Sequence, residues 1–209
     1  MGSTKDQVIH VNFLLRYSLQ AFGFILLLAI FVRTFVLSSL VMSGAAMLPS
    51  IWPGDFLLAA KWGLKSVRHG EIVAMRCPQS PDKLCLKRVI GLPGDRIEIR
   101  LGHLVINGHE SQERRMGPIV TEVTVGGSWA VWPDTESHNL RPVVVPPQMV
   151  FLMNDKRSDQ DDSRSWGPVS MELIEARAVR IWLSLDWFDG ERVRSWPHIR
   201  WTRLLRGID

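Results

Sequence analysis

The chain has 209 residues, 46% of them hydrophobic and 22% charged, which excludes a disordered or collagen-like polymer and fits one or two domains. Lys and Arg total 25 against 21 for Asp and Glu, and the resulting net charge of +4 is too small to argue for nucleic acid. Two cysteines exclude a disulfide-dense scaffold and a four-thiolate zinc site, and the scattered histidines form no HExxH pair, so no metal or other cofactor is expected.

Residues 17–32, YSLQAFGFILLLAIFV, carry no charge and lie between Arg16 and Arg33. The tract is shorter than the ~20 residues a helix needs to cross a hydrocarbon core. Apolar residues at 13–15 and 35–37 lengthen it, and the flanking arginines can snorkel. The pattern predicts one transmembrane anchor over residues 12–36 behind an N-terminal segment over 1–11. A cleaved signal peptide and a buried core helix are the competing readings. The flanking charges are too few to set an orientation.

Beyond the anchor, short runs with strand character follow at 56–60, 71–76, 84–90, 96–100, 104–106, 119–125, 149–153 and 178–183. Gly and Pro separate them, as in Pro53-Gly54, Asn107-Gly108, Gly126-Gly127 and Pro146-Pro147. Only 170–176 offers a short helix, so a parallel α/β sheet is excluded and a mostly β domain over 37–209 is expected. Residues 101–148 differ in texture and suggest an inserted smaller β region. Cys77 and Cys85 enclose the segment PQSPDKL, as the two sides of a hairpin would. An oxidising compartment would pair them, and a reducing one would leave two half-buried thiols. Trp is abundant, 9 residues against 1 Tyr, and Trp182, Trp187, Trp196 and Trp201 sit among arginines near the C-terminus. Such rings serve a β core or lie at a membrane–water boundary, with the guanidiniums on anionic lipid.

Three stretches carry a more specific signal. They are Gly44-Ala-Ala-Met-Leu-Pro-Ser-Ile51 with Pro53-Gly-Asp55, then Lys87-Arg-Val-Ile-Gly-Leu-Pro-Gly-Asp95, then Asn154-Asp-Lys-Arg157 with Asp162-Ser-Arg-Ser-Trp-Gly167. In this order, behind an apolar helix, they resemble the type I signal peptidases, membrane-anchored serine proteases that remove signal peptides from exported bacterial proteins. The resemblance runs over most of the chain and is weakest at 101–148. It implies an antiparallel β-sheet domain with an inserted smaller β region behind one transmembrane helix. It also implies the bacterial inner membrane as location, with 1–11 cytoplasmic and 37–209 on the extracytoplasmic side. The implied partners are signal peptides of preproteins, the lipid bilayer and the export translocon.

The resemblance also assigns roles. Lys87 matches the general base of a serine–lysine dyad. The nucleophile position falls on Ala46, which has no oxygen to form an acyl-enzyme. Ser43 and Ser50 are the neighbouring hydroxyls, but a shift of three or four residues carries a side chain away from its base. The alanine reads either as a natural non-catalytic member or as a serine-to-alanine substitution in an active peptidase. The retained lysine favours the second, since a buried amine costs stability and serves only chemistry. The Ala46 N–H would form the oxyanion hole, helped by Gly44, which has no hydroxyl, or by Ser43. Ser163 would orient the lysine. Asp162 and Arg164, with Arg88, would form a supporting ion cluster, and Asp155 and Arg157 would fix the adjacent turn. Leu40, Met42, Met47, Ile51 and Leu86 match the pockets for small substrate residues. A peptidase specialised for a pilin or conjugation substrate, and a membrane-anchored β domain that binds peptides without cutting them, are the alternatives.

Overall fold

The computed structural model describes residues 4–31, 33, 37–136, 138–189 and 192–208. It divides into two compact units, Met1–Leu37 and Ser38–Asp209. The first holds one helix, α1 (Thr4–Phe31), which starts well before residue 12 and takes in most of the expected N-terminal segment. Over residues 17–31 its apolar side chains, Leu19, Phe24 and Leu27 among them, are exposed, and over 4–16 only the backbone is described. Among the described residues no helix is long and apolar enough to cross a membrane. Residues 1–3, 32 and 34–36 of the expected segment and anchor lie outside the described residues.

The second unit is a β structure. In chain order its strands are β1 (Leu37–Val41), β2 (Asp55–Ala60), β3 (Ile72–Cys77), β4 (Ser80–Gly91), β5 (Arg96–Arg100), β6 (His103–Ile106), β7 (His109–Glu110), β8 (Gln112–Met116), β9 (Ile119–Thr124) and β10 (Gly127–Val131). They continue with β11 (Leu140–Val144), β12 (Met149–Met153), β13 (Val169–Ser170), β14 (Ile174–Asp189), β15 (Arg192–Ile199) and β16 (Arg206–Gly207), and a short helix α2 (Ser163–Trp166) precedes β13. The main sheet runs β1-β2-β14-β3-β4-β12-β13, with β15 and β16 added on β14. Two smaller sheets, β11-β5-β6-β7 and β10-β9-β8, are built from β5 and from the strands of residues 101–148, the region expected to be an insertion. They share one core with the main sheet: Ile97, Leu104, Ile106, Val120, Trp129 and Val131 pack with Ile90, Phe151 and Met153.

Most expected strands appear within a few residues of their predicted limits. The expected helix at 170–176 does not form. One 3-10 turn, Met171–Leu173, leads directly into β14, because Ile174, Ala176 and Ala178 are buried in alternation and therefore follow the period of a strand. Two glycines are required by their surroundings, one in a turn and one at a strand end. At Gly54, φ is +86°, and an added Cβ would sit 2.0 Å from the Leu185 carbonyl oxygen. At Gly91 an added Cβ would meet Ile97 Cγ1 at 2.8 Å and Phe151 Cβ at 3.1 Å, so this residue lets β4 lie against β5 and β12.

Candidate active site

The site begins where β1 ends. Met42 is tied to the start of β2 by hydrogen bonds to and from the backbone: its N–H donates to the Asp55 carbonyl at 2.9 Å, and Gly54 N–H donates to its own carbonyl at 2.8 Å. The chain then turns on itself through residues 44–50, with Leu48 N–H to Ala45 O at 3.1 Å and Ile51 N–H to Met47 O at 2.9 Å. Met47 and Ile51 are fully buried with Leu57, Ile72 and Ile181, and burial of each such side chain is worth roughly 1.5–3 kcal/mol. They anchor the turn in the core, whereas the expectation drawn from the resemblance placed them at substrate pockets. Asp55 holds the far end of the turn. It accepts from Trp52 N–H at 2.7 Å and pairs with Arg203, which also donates to the Ser50 carbonyl at 3.0 Å.

Lys87 lies on β4 opposite Val73 of β3. Successive residues of a strand face opposite ways. Lys87 thus shares a face with Cys85 and Val89, while its neighbour Arg88 points to the other side. A cavity of about 260 Å³ opens between Leu40, Val41, Met42, Ser43, Gly44 and Ala46 on one wall and Leu84, Cys85, Leu86 and Lys87 on the other. Ala46 and Lys87 therefore line the same space, and of the expected pocket residues Leu40, Met42 and Leu86 line it too. Gly44 and Ser43, the expected contributors to an oxyanion hole, sit on the wall beside Ala46. Cys77 and Cys85 are joined as a disulfide across the β3–β4 hairpin, next to this cavity.

The amine is nearly sealed, with Lys87 only 3% exposed. Its Nζ donates to Asn154 Oδ1 at 2.8 Å and to the Asp161 carbonyl at 2.6 Å, and it lies 5.2 Å from the centre of the Trp166 ring. Burial pushes its pKa below the ordinary lysine value. Asp162, Asp161 and Asp159 pull it partly back, and Arg164 adds to the lowering. A buried amine that releases its proton readily is the kind of group that serves as a general base.

The resemblance gave the orienting role to Ser163. Its hydroxyl instead accepts from Leu152 N–H at 3.0 Å, so it fastens α2 to β12 while Asn154 and the Asp161 carbonyl take the lysine's hydrogens. Asp162 and Arg164 do form the expected ion pair, at 2.6 Å between Arg164 Nη2 and Asp162 Oδ2. Asp162 caps α2 and also accepts from Asn154 N–H at 2.9 Å, and Arg164 donates to the carbonyls of Arg157 and Asp159, each at 2.6 Å. Arg88 does not join this cluster, because it faces the opposite side of β4. There it makes a two-pronged pair with Asp155, both contacts 2.7 Å, and donates to Ser50 Oγ at 2.9 Å. Asp155 thus serves Arg88, and Arg157 pairs with Glu122 of β9 at 2.5 Å. Ser50 is engaged by Arg88 on the far side of β4 from the lysine.

Asn154, the Asp161 carbonyl, Trp166, Glu122 and the Asp55–Arg203 pair were not identified from the sequence. One signal for the first was present: a buried lysine needs an uncharged or charged acceptor nearby, and Asn154 lies inside a motif already singled out.

The profile of the family described as signal peptidase, peptidase S26, matches residues 15–183. "Signal peptidase I" of Bacillus caldolyticus is 31% identical over 157 residues, covering 72% of this chain and 82% of that protein. "Mitochondrial inner membrane protease subunit 2" of Danio rerio is 31% identical over 140 residues, covering 56% of this chain and 76% of its own. A solved signal peptidase I from Enterococcus faecalis is 26% identical and covers 54% of this chain and 96% of its own, with a TM-score of 0.37.

Proposed function

The chain belongs to the signal peptidase, peptidase S26, family, and on that premise we propose that it is a membrane-anchored signal-peptide site whose chemistry is switched off at residue 46. The observation that carries this is the shared cavity: Ala46 and the buried Lys87 line it together, and residue 46 lacks the hydroxyl that the lysine would deprotonate. With a serine at 46, its hydroxyl attacks the carbonyl of the scissile bond and its proton passes to Lys87. The ammonium so formed then protonates the leaving amine. The oxyanion meets the N–H of residue 46. Leu40, Met42 and Leu86 favour small apolar residues before the cut. As it stands, the alanine chain binds such a peptide and leaves it whole.

The substrates are signal peptides of exported preproteins, delivered in the plane of a bilayer, with the translocon as the source. The uncharged tract YSLQAFGFILLLAIFV and the exposed apolar side chains of α1 over residues 17–31 support the reading of a membrane anchor at this end of the chain. On this reading the β unit faces the extracytoplasmic side of the inner membrane. Exposed Trp196 and Trp201, near Arg200 and Arg206, suit a surface resting on lipid headgroups.

Ala46 also favours a second reading, a membrane-anchored β domain that binds peptides without cutting them. The two separate in one experiment. A preprotein in detergent or proteoliposomes is incubated with the Ala46→Ser variant and the products are weighed by mass spectrometry. Cleavage after a small residue supports the substituted peptidase. An Ala46→Ser variant that binds the preprotein and never cuts it supports the binding protein.

A further inference from the structure

Three aspartates surround Lys87, yet none of the hydrogen bonds described for its amine goes to a carboxylate. Each acid is held elsewhere. Asp162 accepts from Arg164 and from Asn154 N–H, Asp161 Oδ1 accepts from Trp166 Nε1 at 3.1 Å, and Asp159 Oδ1 accepts from Asp161 N–H at 3.2 Å. The atom set against the amine is instead the amide oxygen of Asn154, a residue with 0% exposure. The amide has only one way round. Its Nδ2 donates to the carbonyls of Asp159 and Asp161, at 3.1 and 3.4 Å, so Oδ1 must face the lysine. The backbone N–H of Asn154 is fixed in turn by Asp162.

We propose that Asn154 is the positioning residue of Lys87: its side-chain oxygen and the Asp161 carbonyl take the two hydrogens of the neutral amine and leave the lone pair free for a proton donor in the cavity. The count is what supports this. A neutral amine has two N–H donors and one lone pair, and the structure supplies two acceptors. A charged ammonium has a third hydrogen to place. A neutral amide in this position orients the amine without adding the negative charge that would hold its proton on. The charged groups acting on Lys87 are Asp159, Asp161 and Asp162 from the loop after β12 and Arg164 from α2; the wall carrying Ala46 contributes Ser43 and Gly44, which carry no charge. The inference rests on the reading of Lys87 as a general base.

The test uses the full chain with Ala46 in place, so its readout does not depend on cleavage. Lys87 is labelled with a trace of acetic anhydride over a pH series, and the modified peptide is quantified by mass spectrometry to give the titration midpoint of that one amine. Asn154→Asp puts a carboxylate against the amine and moves the midpoint up by about 1 to 3 pH units. Asn154→Ala removes an acceptor of the charged form and moves it down. A packing role alone would lower the melting temperature of both variants and leave both midpoints where they were, and that result overturns the proposal. Should Asn154→Asp not fold, the direction of Asn154→Ala decides. In the Ala46→Ser background the alkaline rise of kcat/KM follows the same shifts. Midpoints that move in a protein whose Ala46→Ser form never cleaves keep Asn154 as the positioning residue and reject the peptidase reading. Cleavage with unmoved midpoints does the reverse.

Discussion

The carbonyl of Ala46 accepts a hydrogen bond from the N–H of Lys156 at 2.9 Å. This contact joins the turn after β1 to the loop after β12, which supplies Asn154 and the Asp161 carbonyl to Lys87. The wall that carries residue 46 is thereby fixed by backbone to the loop whose acceptors hold the lysine. On the far side of β4, Arg88 reaches from Asp155 of that loop to Ser50 of that turn. Residue 46 and the amine are held in one frame before any substrate arrives, which is the preorganisation that catalysis of this kind needs.

Asp155→Ala tests the frame. The Arg88–Asp155 pair is buried, with side-chain exposures of 1% and 0%, and losing one partner leaves an uncompensated charge inside. The expected loss is about 3 to 5 kcal/mol in urea denaturation. A loss below about 1 kcal/mol would show that the pair is solvated and that the frame is held by other contacts.

Gly44→Ser tests the oxyanion side. A Cβ there meets only Met42 Cε, at 3.6 Å, so the wall has room for a hydroxyl. Losing one oxyanion donor costs other serine proteases roughly a hundredfold or more in kcat. In the Ala46→Ser background, Gly44→Ser is expected to raise kcat by about tenfold with KM little changed. A lower kcat would place the oxyanion elsewhere.

The buried amine has a signature in stability. Its folded pKa lies below the ordinary 10.5, so between those two values the unfolded chain binds more protons than the folded one. Stability from this group therefore rises with pH across that window. Lys87→Met removes the effect. The difference in melting temperature between the unchanged chain and Lys87→Met is expected to move in favour of the unchanged chain as pH rises toward 10.5. A difference independent of pH would mean the lysine titrates as in water.

Much of this site could be read from the sequence, and the unread part has physical reasons. The strand bearing Lys87 was legible because LCLKRVIG is apolar, β-branched and closed by a Gly-Leu-Pro-Gly turn. The partner of Arg88 was not. Asp155 and Asp162 are equally plausible acids in sequence, and only the alternation of β4 faces selects the first. Asn154 was missed as a lysine ligand because a polar loop residue does not reveal where its side chain points. β8, whose sequence QERRM is charged and largely exposed, offers no apolar alternation to detect. The anchor's tract was visible as composition, whereas the start of α1 at Thr4 was not, since polar residues precede the apolar ones.

Asp95 gives the acid-side prediction. Burial by itself would raise its pKa. That is outweighed by hydrogen bonds from Leu92 N–H at 2.7 Å and Asn107 Nδ2 at 2.8 Å and by His69 at 2.7 Å, which together hold it below 3.8. A depressed carboxylate contributes stability that is complete above its unfolded value and is lost as pH falls through the lower folded value. Asp95→Asn is expected to flatten the fall in urea midpoint between about pH 5 and pH 2. An unchanged acid limb would assign that fall to other carboxylates.

The most direct measurement compares Ala46→Ser with Ala46→Ser/Lys87→Met, each mixed in excess with one preprotein and followed through a single turnover by intact mass. The serine variant is expected to release the mature protein cut after a small residue, and the double variant to be slower by at least about a hundredfold. Equal rates for the two variants, or no cleavage by either, would contradict the pairing of residue 46 with Lys87.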